Sequence, residues 1–135
     1  MAKSKKQKVS RVKYIKEPKS EVQSPDALHP VFSFRFLRTD YGVASCNVEQ
    51  LSGFVKQLNL VSQLTWGIWK MSPRTGIGPE KIARESLNVA VPAQISDDIE
   101  FFLCFRFHNG RCLGYRDGVT FYIVWIDGSF KLYNH

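Results

Sequence analysis

Several side chains that could bind or cleave RNA are concentrated in the last third of the sequence. Guanidinium groups hold phosphate, aromatic rings stack on bases, and an imidazole can move a proton near neutral pH. RNA cleavage without a metal needs a base for the 2′-hydroxyl proton, an acid for the leaving oxygen and cations for the charge on phosphorus. We expect His108 or His135 to supply the base or the acid. The cations expected to supply the charge are Arg106, Arg111 and Lys131.

Three Asn-Gly or Asp-Gly pairs indicate the strands on which these side chains lie. Each pair is a strong signal for a two-residue type I′ hairpin turn. The pairs are Asn109-Gly110, Asp117-Gly118 and Asp127-Gly128. They predict four consecutive antiparallel strands, at residues 99–108, 111–116, 119–126 and 129–134.

Two-residue turns also fix the register, and the register assigns the side chains to two faces. The expected residue pairs are His108 with Arg111, Arg116 with Val119 and Ile126 with Ser129. We expect one face to be the core, and it carries Phe101, Leu103, Phe105, Phe107, Cys112, Gly114, Arg116, Val119, Phe121, Ile123, Trp125, Phe130 and Leu132. We expect the other face to be open to solvent. It carries Arg106, His108, Arg111, Leu113, Tyr115, Tyr122, Val124, Lys131, Tyr133 and His135.

The segments before the meander predict the elements that cover its core face. Val31–Arg38 alternates, with its three phenylalanines on one side, and predicts a first strand. Asn47 followed by Gln50 is a capping-box variant, and it begins a predicted helix of about four turns. The apolar stripe of this helix comprises Val48, Leu51, Phe54, Val55, Leu58 and Val61.

A second, short helix is predicted after Thr65, and Pro79 suits the start of another helical turn. The short helix carries Trp66 and Trp69, which we expect to be core residues because of the apolar area they bury. The predicted fold is therefore α+β, with an N-terminal strand and two or three helices packed on one face of a C-terminal four-stranded antiparallel meander.

The positive charge of the protein lies in its N-terminal segment. The whole chain of 135 residues has a formal net charge of +7, and residues 1–20 contain eight basic residues and one acidic residue. We expect residues 1–30 to be a disordered basic tail and linker, and residues 31–135 to be a single domain. The tail is either an electrostatic arm for nucleic acid or a solubilising extension. Its candidate nucleic-acid contacts are Lys3, Lys5, Lys6, Lys8, Arg11 and Lys13.

Other classes of protein find little support in the sequence. Cys46, Cys104 and Cys112 form no Cys-x-x-C pair and have no histidine at ligand spacing, so we expect neither disulfides nor a metal site. No cofactor motif is present. The chain also has no apolar run long enough for a membrane span or a signal peptide, and we expect a cytoplasmic protein without a membrane partner.

The order of strand, helices and antiparallel meander, with an aromatic residue and a histidine at its end, resembles the RelE/ParE superfamily of bacterial toxins, especially the RelE/YoeB-like ribosome-dependent ribonucleases. The matching stretch is Phe101–His135, and its closest detail is Lys131-Leu132-Tyr133-Asn134-His135. The resemblance implies a catalytic or RNA-contacting set of Arg106, Arg111, Tyr115, Lys131, Tyr133 and His135. Separately, three segments look like parts of small proteins of bacteria and mobile elements for which no activity is established, namely Gly114–Gly118, Phe121–Asp127 and Leu132–His135.

Two hypotheses follow for the function. The first is a toxin-like RNA-binding protein that acts as a metal-independent endoribonuclease, with RNA or the ribosome as its target and a small antitoxin as a partner. Its catalytic residues would be His108, Arg111, Tyr115 and His135, and its substrate-binding residues Arg106, Tyr122, Lys131 and Tyr133. The second is a non-catalytic module, in which the same sheet face or the Trp66 and Trp69 helix docks a partner protein and the tail contacts nucleic acid. Neither hypothesis requires a cofactor.

Overall fold

The computed structural model describes residues 23–134, so the predicted basic tail and His135 lie outside the described residues. The strands are β1 (Val31–Ser33), β2 (Glu80–Ala83), β3 (Phe101–Phe107), β4 (Gly110–Asp117) and β5 (Thr120–Asp127). The α-helices are α1 (Val48–Ser62) and α2 (Trp66–Met71), and short 3-10 helices lie at Pro25–Ala27, Val43–Ser45 and Arg84–Ser86. The α+β fold class is confirmed.

The strands form one mixed, five-stranded sheet in the order β1-β5-β4-β3-β2. β3, β4 and β5 are the first three strands of the predicted meander, and they pair in antiparallel fashion. The predicted fourth strand at 129–134 is wrong, because this segment forms only an isolated bridge between Tyr133 and Leu87. The edges are instead β1, which runs parallel to β5, and β2, which runs antiparallel to β3. β2 replaces the helical turn predicted after Pro79.

The two helices have the starts that their sequences predict. The Asn47 side chain accepts a hydrogen bond from the Gln50 backbone at 2.8 Å, and the Gln50 side chain accepts one from the Asn47 backbone at 3.0 Å. Thr65 caps α2 in a similar way through the backbone N–H of Ile68, at 3.2 Å. Neither these helices nor any other within residues 23–134 has the length and apolar character that a membrane crossing requires.

The helices bury a first core against one face of the sheet. Trp66 and Trp69 are fully buried there, and their indole N–H groups donate to the carbonyls of Val119 and Ile77 at 2.8 and 2.7 Å. The two tryptophans are therefore core residues, as predicted, and neither can dock a partner protein. The apolar stripe of α1 is narrower than predicted, because Val48 and Val55 are 81% and 63% exposed.

A second core covers the middle of the opposite face, which the sequence predicts to be open to solvent. Its buried members are Ile82, Ile95, Phe102, Cys104, Leu113, Val124, Trp125, Leu132 and Tyr133. Leu87, Val89, Val91 and Ile99, from the connection between β2 and β3, pack against it together with Phe36 and Tyr41. The prediction of helices on one face and solvent on the other is therefore wrong. The sheet is a central layer with an apolar core on each side. The predicted site residues of the second face therefore lie around the edge of the second core.

The register differs from the predicted one by two residues at both hairpins. Arg106 pairs with Arg111, and Asp117 pairs with Thr120. A shift of two preserves the faces, because side chains alternate with a period of two. A β-bulge between Leu113 and Gly114 then reverses the alternation along β5. As a result Trp125, predicted in the first core, lies in the second, and Ile126 lies in the first.

An ionic network ties the N-terminal 3-10 helix to the sheet and to α2. The Asp26 carboxylate accepts hydrogen bonds from Lys70 and from Arg116, the latter at 2.6 Å. The Arg116 guanidinium also lies over the Trp66 ring, with its Cζ atom 4.2 Å from the ring centroid. Arg116 is therefore a charge at the edge of the first core, as predicted, and Asp26 is its partner.

This network should make the stability of the protein depend on pH. The hydrogen bonds from Lys70 and then Arg116 lower the pKa of Asp26. A lowered pKa in the folded state stabilises the protein above the unfolded pKa, and this contribution is lost as the pH falls through the folded value. Asp26→Asn should therefore unfold at a lower urea concentration than the wild type at pH 7, and the two midpoints should converge below about pH 4. An unchanged difference at acid pH would show that the charge of Asp26 is not what stabilises the fold.

Candidate functional site

Arg106 of β3 and Arg111 of β4 lie directly opposite each other at one end of the sheet, and we call them the arginine pair. Both side chains are half-buried, on the face that carries the second core. Arg111 donates one hydrogen bond, to the Gly110 carbonyl, at 3.0 Å. Neither guanidinium forms an ion pair with another residue in the range 23–134. Asp127 lies opposite Arg111 in the pairing of β4 with β5, but no carboxylate among the described residues forms an ion pair with either guanidinium group.

The loop after β5 (residues 128–132, here the Phe130 loop) is built around the buried carboxylate of Asp127. This side chain has no exposed surface and accepts hydrogen bonds from the backbone N–H groups of Ser129, Lys131 and Leu132, at 3.0, 2.9 and 3.0 Å. The two-residue Asp127-Gly128 turn predicted here is therefore absent. In its place is a longer loop whose backbone N–H groups donate to the Asp127 carboxylate. Because three donors already point at this carboxylate, it fixes the loop and does not pair with Arg111.

The Phe130 loop places an aromatic ring on the arginine pair. Phe130 has a φ of 58°, in the left-handed region that bulky residues rarely occupy. Its ring lies over Arg111, whose Cζ atom is 4.8 Å from the ring centroid, and its side chain is 39% exposed. The prediction that Phe130 belongs to the core is therefore wrong. Lys131 follows it in the loop, and its side chain is exposed.

Tyr133, a predicted substrate-binding residue, is buried beside the arginine pair. Its hydroxyl lies 3.3 Å from Sγ of Cys104, and its side chain is 7% exposed. Burial raises the pKa of Tyr133 well above its usual range and raises the pKa of Cys104 to about 11. Both groups therefore remain protonated at neutral pH. The two side chains form part of the buried core beside the arginine pair, and Cys104 does not act as a thiolate.

Tyr115 and Tyr122 lie at the other end of the same face. They are cross-strand partners, and their rings stack with centroids 5.1 Å apart. Four residues of β4 separate Tyr115 from Arg111, which corresponds to about 13 Å along the strand. The structure therefore brings the two tyrosines together and brings the two arginines together, but it keeps the two groups apart.

His108 lies on the helical side of the molecule, away from the arginine pair. It occupies the turn between β3 and β4 with a φ of 41°, and its Nε2 atom is 3.9 Å from the Glu49 carboxylate at the start of α1. A methyl group at Gly53 of α1 would lie 2.8 Å from Cβ of His108. The expectation that His108 shares a face with Arg106 is therefore wrong, because the left-handed backbone at His108 turns its side chain towards α1.

Among the described residues, the site holds cations and rings but no histidine. His29 is the other described histidine, and its Nδ1 atom is 2.9 Å from the Leu64 carbonyl, in the helical layer. The candidates His135, Lys3, Lys5, Lys6, Lys8, Arg11 and Lys13 lie outside the described residues. Within residues 23–134 no group of His, Cys, Asp and Glu side chains is arranged to hold a metal ion.

The arrangement is suited to an anion that carries a flat ring. Two guanidinium groups can hold a phosphate, and a half-exposed phenylalanine can stack on a base. Sequence reasoning identified the cations through their alternation, but it missed Phe130 and Asp127, whose roles depend on the shape of a loop. Comparisons of the chain with protein-family models, with curated proteins and with solved structures found no match.

Proposed function

We propose that this protein binds single-stranded RNA, and that the arginine pair with the Phe130 loop is its primary contact. The observation that supports this most directly is the cross-strand position of Arg106 and Arg111, neither of which forms an ion pair within the described chain. Like charges directly opposite each other in a sheet destabilise it. A bound phosphate would relieve that repulsion and would accept hydrogen bonds from both guanidinium groups.

The neighbouring ring favours a single strand over a duplex. Bases in a duplex are stacked on one another, whereas the bases of a single strand are free to stack on an aromatic side chain. Phe130 is 39% exposed and already rests on Arg111, so a base that stacks on it would lie next to the phosphate held by the pair. A single nucleotide unit would thus be held at both its phosphate and its base.

The proposal is for binding, and cleavage stays a prediction of the RelE-like resemblance. A metal-independent ribonuclease needs an acid and a base at the scissile phosphate. His108 lies on the helical side, and the Tyr133 hydroxyl is buried and held by Cys104. Neither group is therefore placed to transfer a proton at the arginine pair, and we propose only binding for it. Toxicity and an antitoxin partner also stay predictions.

We expect an Arg106→Gln, Arg111→Gln variant to bind a single-stranded oligouridine of about twelve nucleotides at least about tenfold more weakly than the wild type. Each phosphate contact on a single strand contributes about 0.7 to the slope of log affinity against log salt concentration. Because the pair is proposed to hold one phosphate, the slope of the variant should be lower by about 0.7. Fluorescence anisotropy over a range of salt concentrations measures both quantities.

A Lys56→Gln, Lys81→Gln variant is the matched control, because it removes the same charge from exposed positions on the helical side. We expect it to lose little affinity and to keep the salt slope of the wild type. Equal losses in the two double variants would show that only net charge matters, and the arginine pair would then not be a site. The same titrations, run with the oligouridine analysed for cleavage products, test the ribonuclease prediction.

A further inference from the structure

The arginine pair lies at the edge of the second core, and the buried part of the face begins immediately inward of it. Two residues further along the strands, Cys104, Leu113 and Trp125 are cross-strand partners on the same face, and each is almost completely buried. Two residues of a strand span about 7 Å. The part of this face that a ligand can reach from the arginine pair therefore ends about 7 Å inward of it.

Two further segments of the chain close this inward side. Tyr133 lies over Cys104, with its hydroxyl 3.3 Å from the Sγ atom. The connection between β2 and β3 packs on the second core and is bound to the Phe130 loop, because the Asn88 side chain donates to the Lys131 carbonyl at 3.1 Å and the Asn88 backbone N–H donates to the Leu132 carbonyl at 2.6 Å. A ligand at the arginine pair therefore cannot extend inward along the sheet.

The outward side of the arginine pair is exposed. It is formed by the turn between β3 and β4 and by the Phe130 loop, whose exposed residues are His108, Asn109, Ser129, Phe130 and Lys131. An RNA strand bound at the pair must therefore turn away from the core. An internal phosphate would have to direct the nucleotides on both of its sides away from the core, whereas a terminal phosphate has only one neighbouring nucleotide to direct.

The charge of the arginine pair also suits a terminal phosphate. A phosphodiester within a strand carries one negative charge, whereas a phosphomonoester carries nearly two above its second pKa of about 6. The carboxylate opposite Arg111, that of Asp127, already accepts three backbone N–H groups of the Phe130 loop. Glu80, which lies on the same face opposite Cys104, is bound to Arg74 at 2.9 Å. Two guanidinium groups outside these contacts can therefore balance the two charges of a phosphomonoester.

We infer that the arginine pair recognises the phosphorylated end of an RNA strand, with the terminal phosphomonoester between Arg106 and Arg111 and the terminal base on Phe130. This inference rests on the proposed function, and it narrows the ligand from any single strand to one that ends in a phosphomonoester. Phosphates at the 5′ end and at the 3′ end share this chemistry, and the experiment distinguishes them.

Oligouridines of about twelve nucleotides with different ends test the inference. One probe carries a 5′-phosphate, one carries a 3′-phosphate and one carries hydroxyl groups at both ends. Two more carry a methyl phosphate at the 5′ or the 3′ end, which keeps the phosphate in place but leaves it one negative charge. Competition against an internally labelled strand, followed by fluorescence anisotropy at about pH 7.5, measures each affinity.

We expect the wild type to bind a phosphorylated probe about tenfold more tightly than the hydroxyl probe, and the matching methyl phosphate to lose most of this gain. The phosphorylated probe that binds more tightly identifies the end that the site holds. The Arg106→Gln, Arg111→Gln variant should bind all five probes with similar affinity. The Lys56→Gln, Lys81→Gln control should keep the preference of the wild type, because its substitutions lie on the helical side.

The outcomes separate this inference from the proposed function. Equal affinity of the wild type for the hydroxyl probe and for both phosphorylated probes would overturn the inference and leave single-strand binding intact. A methyl phosphate that binds as tightly as the phosphomonoester would overturn it too, and so would a preference that persists in the Arg106→Gln, Arg111→Gln variant. A wild type that binds none of the five probes would overturn the proposed function and the inference together.

Discussion

Replacing Gly114 with alanine should destabilise the protein by about 3 kcal/mol or more, or prevent it from folding. A methyl group at this position would lie 1.9 Å from the Tyr122 carbonyl oxygen and 2.6 Å from Cε1 of Phe121. The first of these atoms belongs to the backbone of the central hairpin, beside the β-bulge, and cannot move without breaking the pairing of β4 and β5. Urea denaturation followed by tryptophan fluorescence measures the loss.

Gly76→Ala is the control for this substitution. The nearest atom to a methyl group at Gly76 is the Pro73 carbonyl oxygen, at 3.7 Å, which is an ordinary contact. We expect this variant to unfold within about 1 kcal/mol of the wild type, because alanine mainly restricts the unfolded chain. Similar unfolding midpoints for the two variants would mean that β4 and β5 are not packed as closely at Gly114 as described.

The second large effect is expected for Asp127→Ala, with a loss of roughly 3–5 kcal/mol in the free energy of unfolding. The substitution leaves three backbone N–H groups without the acceptor that holds the Phe130 loop. It should also weaken RNA binding at temperatures where the variant is still folded, because Phe130 would no longer be held over Arg111. Denaturation and anisotropy measurements on the same sample separate the two effects.

Asp117→Ala is the matched substitution in the neighbouring turn, where the aspartate is exposed. We expect it to change the unfolding free energy by less than about 0.5 kcal/mol. Asp127→Asn, which keeps the volume and one acceptor oxygen, should fall between the two. If Asp127→Ala is as stable as Asp117→Ala, the carboxylate does not organise the loop, and the position of Phe130 has another cause.

Local signals in the sequence predicted much of the fold. The capping box at Asn47 and the Asn-Gly and Asp-Gly corners gave α1 and three of the strands, because each depends on hydrogen bonds or dihedral preferences within a few residues. The β-bulge at Leu113 and Gly114 could not be predicted in this way. It depends on how β5 packs against both cores, and it decides on which face Trp125 lies.

The candidate site was predicted in part. Alternation correctly predicted that Arg106 and Arg111 lie on the same face. The predicted register was wrong by two residues, but an even shift leaves every side chain on the same face of the sheet. Alternation failed for His108 and for Phe130, since both have a positive φ that turns the side chain away from the strand pattern. The alternation of residues along the strands also does not predict that the connection between β2 and β3 packs over the face that carries Arg106 and Arg111.

The way in which β5 is covered has a consequence for self-association. An outer strand with unpaired backbone groups can recruit another chain and begin aggregation. β1 spans only three residues, but the Arg38 N–H and the Tyr41 carbonyl continue the pairing to Val124 and Ile126 after β1 ends. The Ser45 hydroxyl then donates to the Ile126 carbonyl at 2.6 Å. The side of β5 that faces away from β4 is thereby occupied by β1 and by residues 38–45, so that it cannot pair with a strand of another chain.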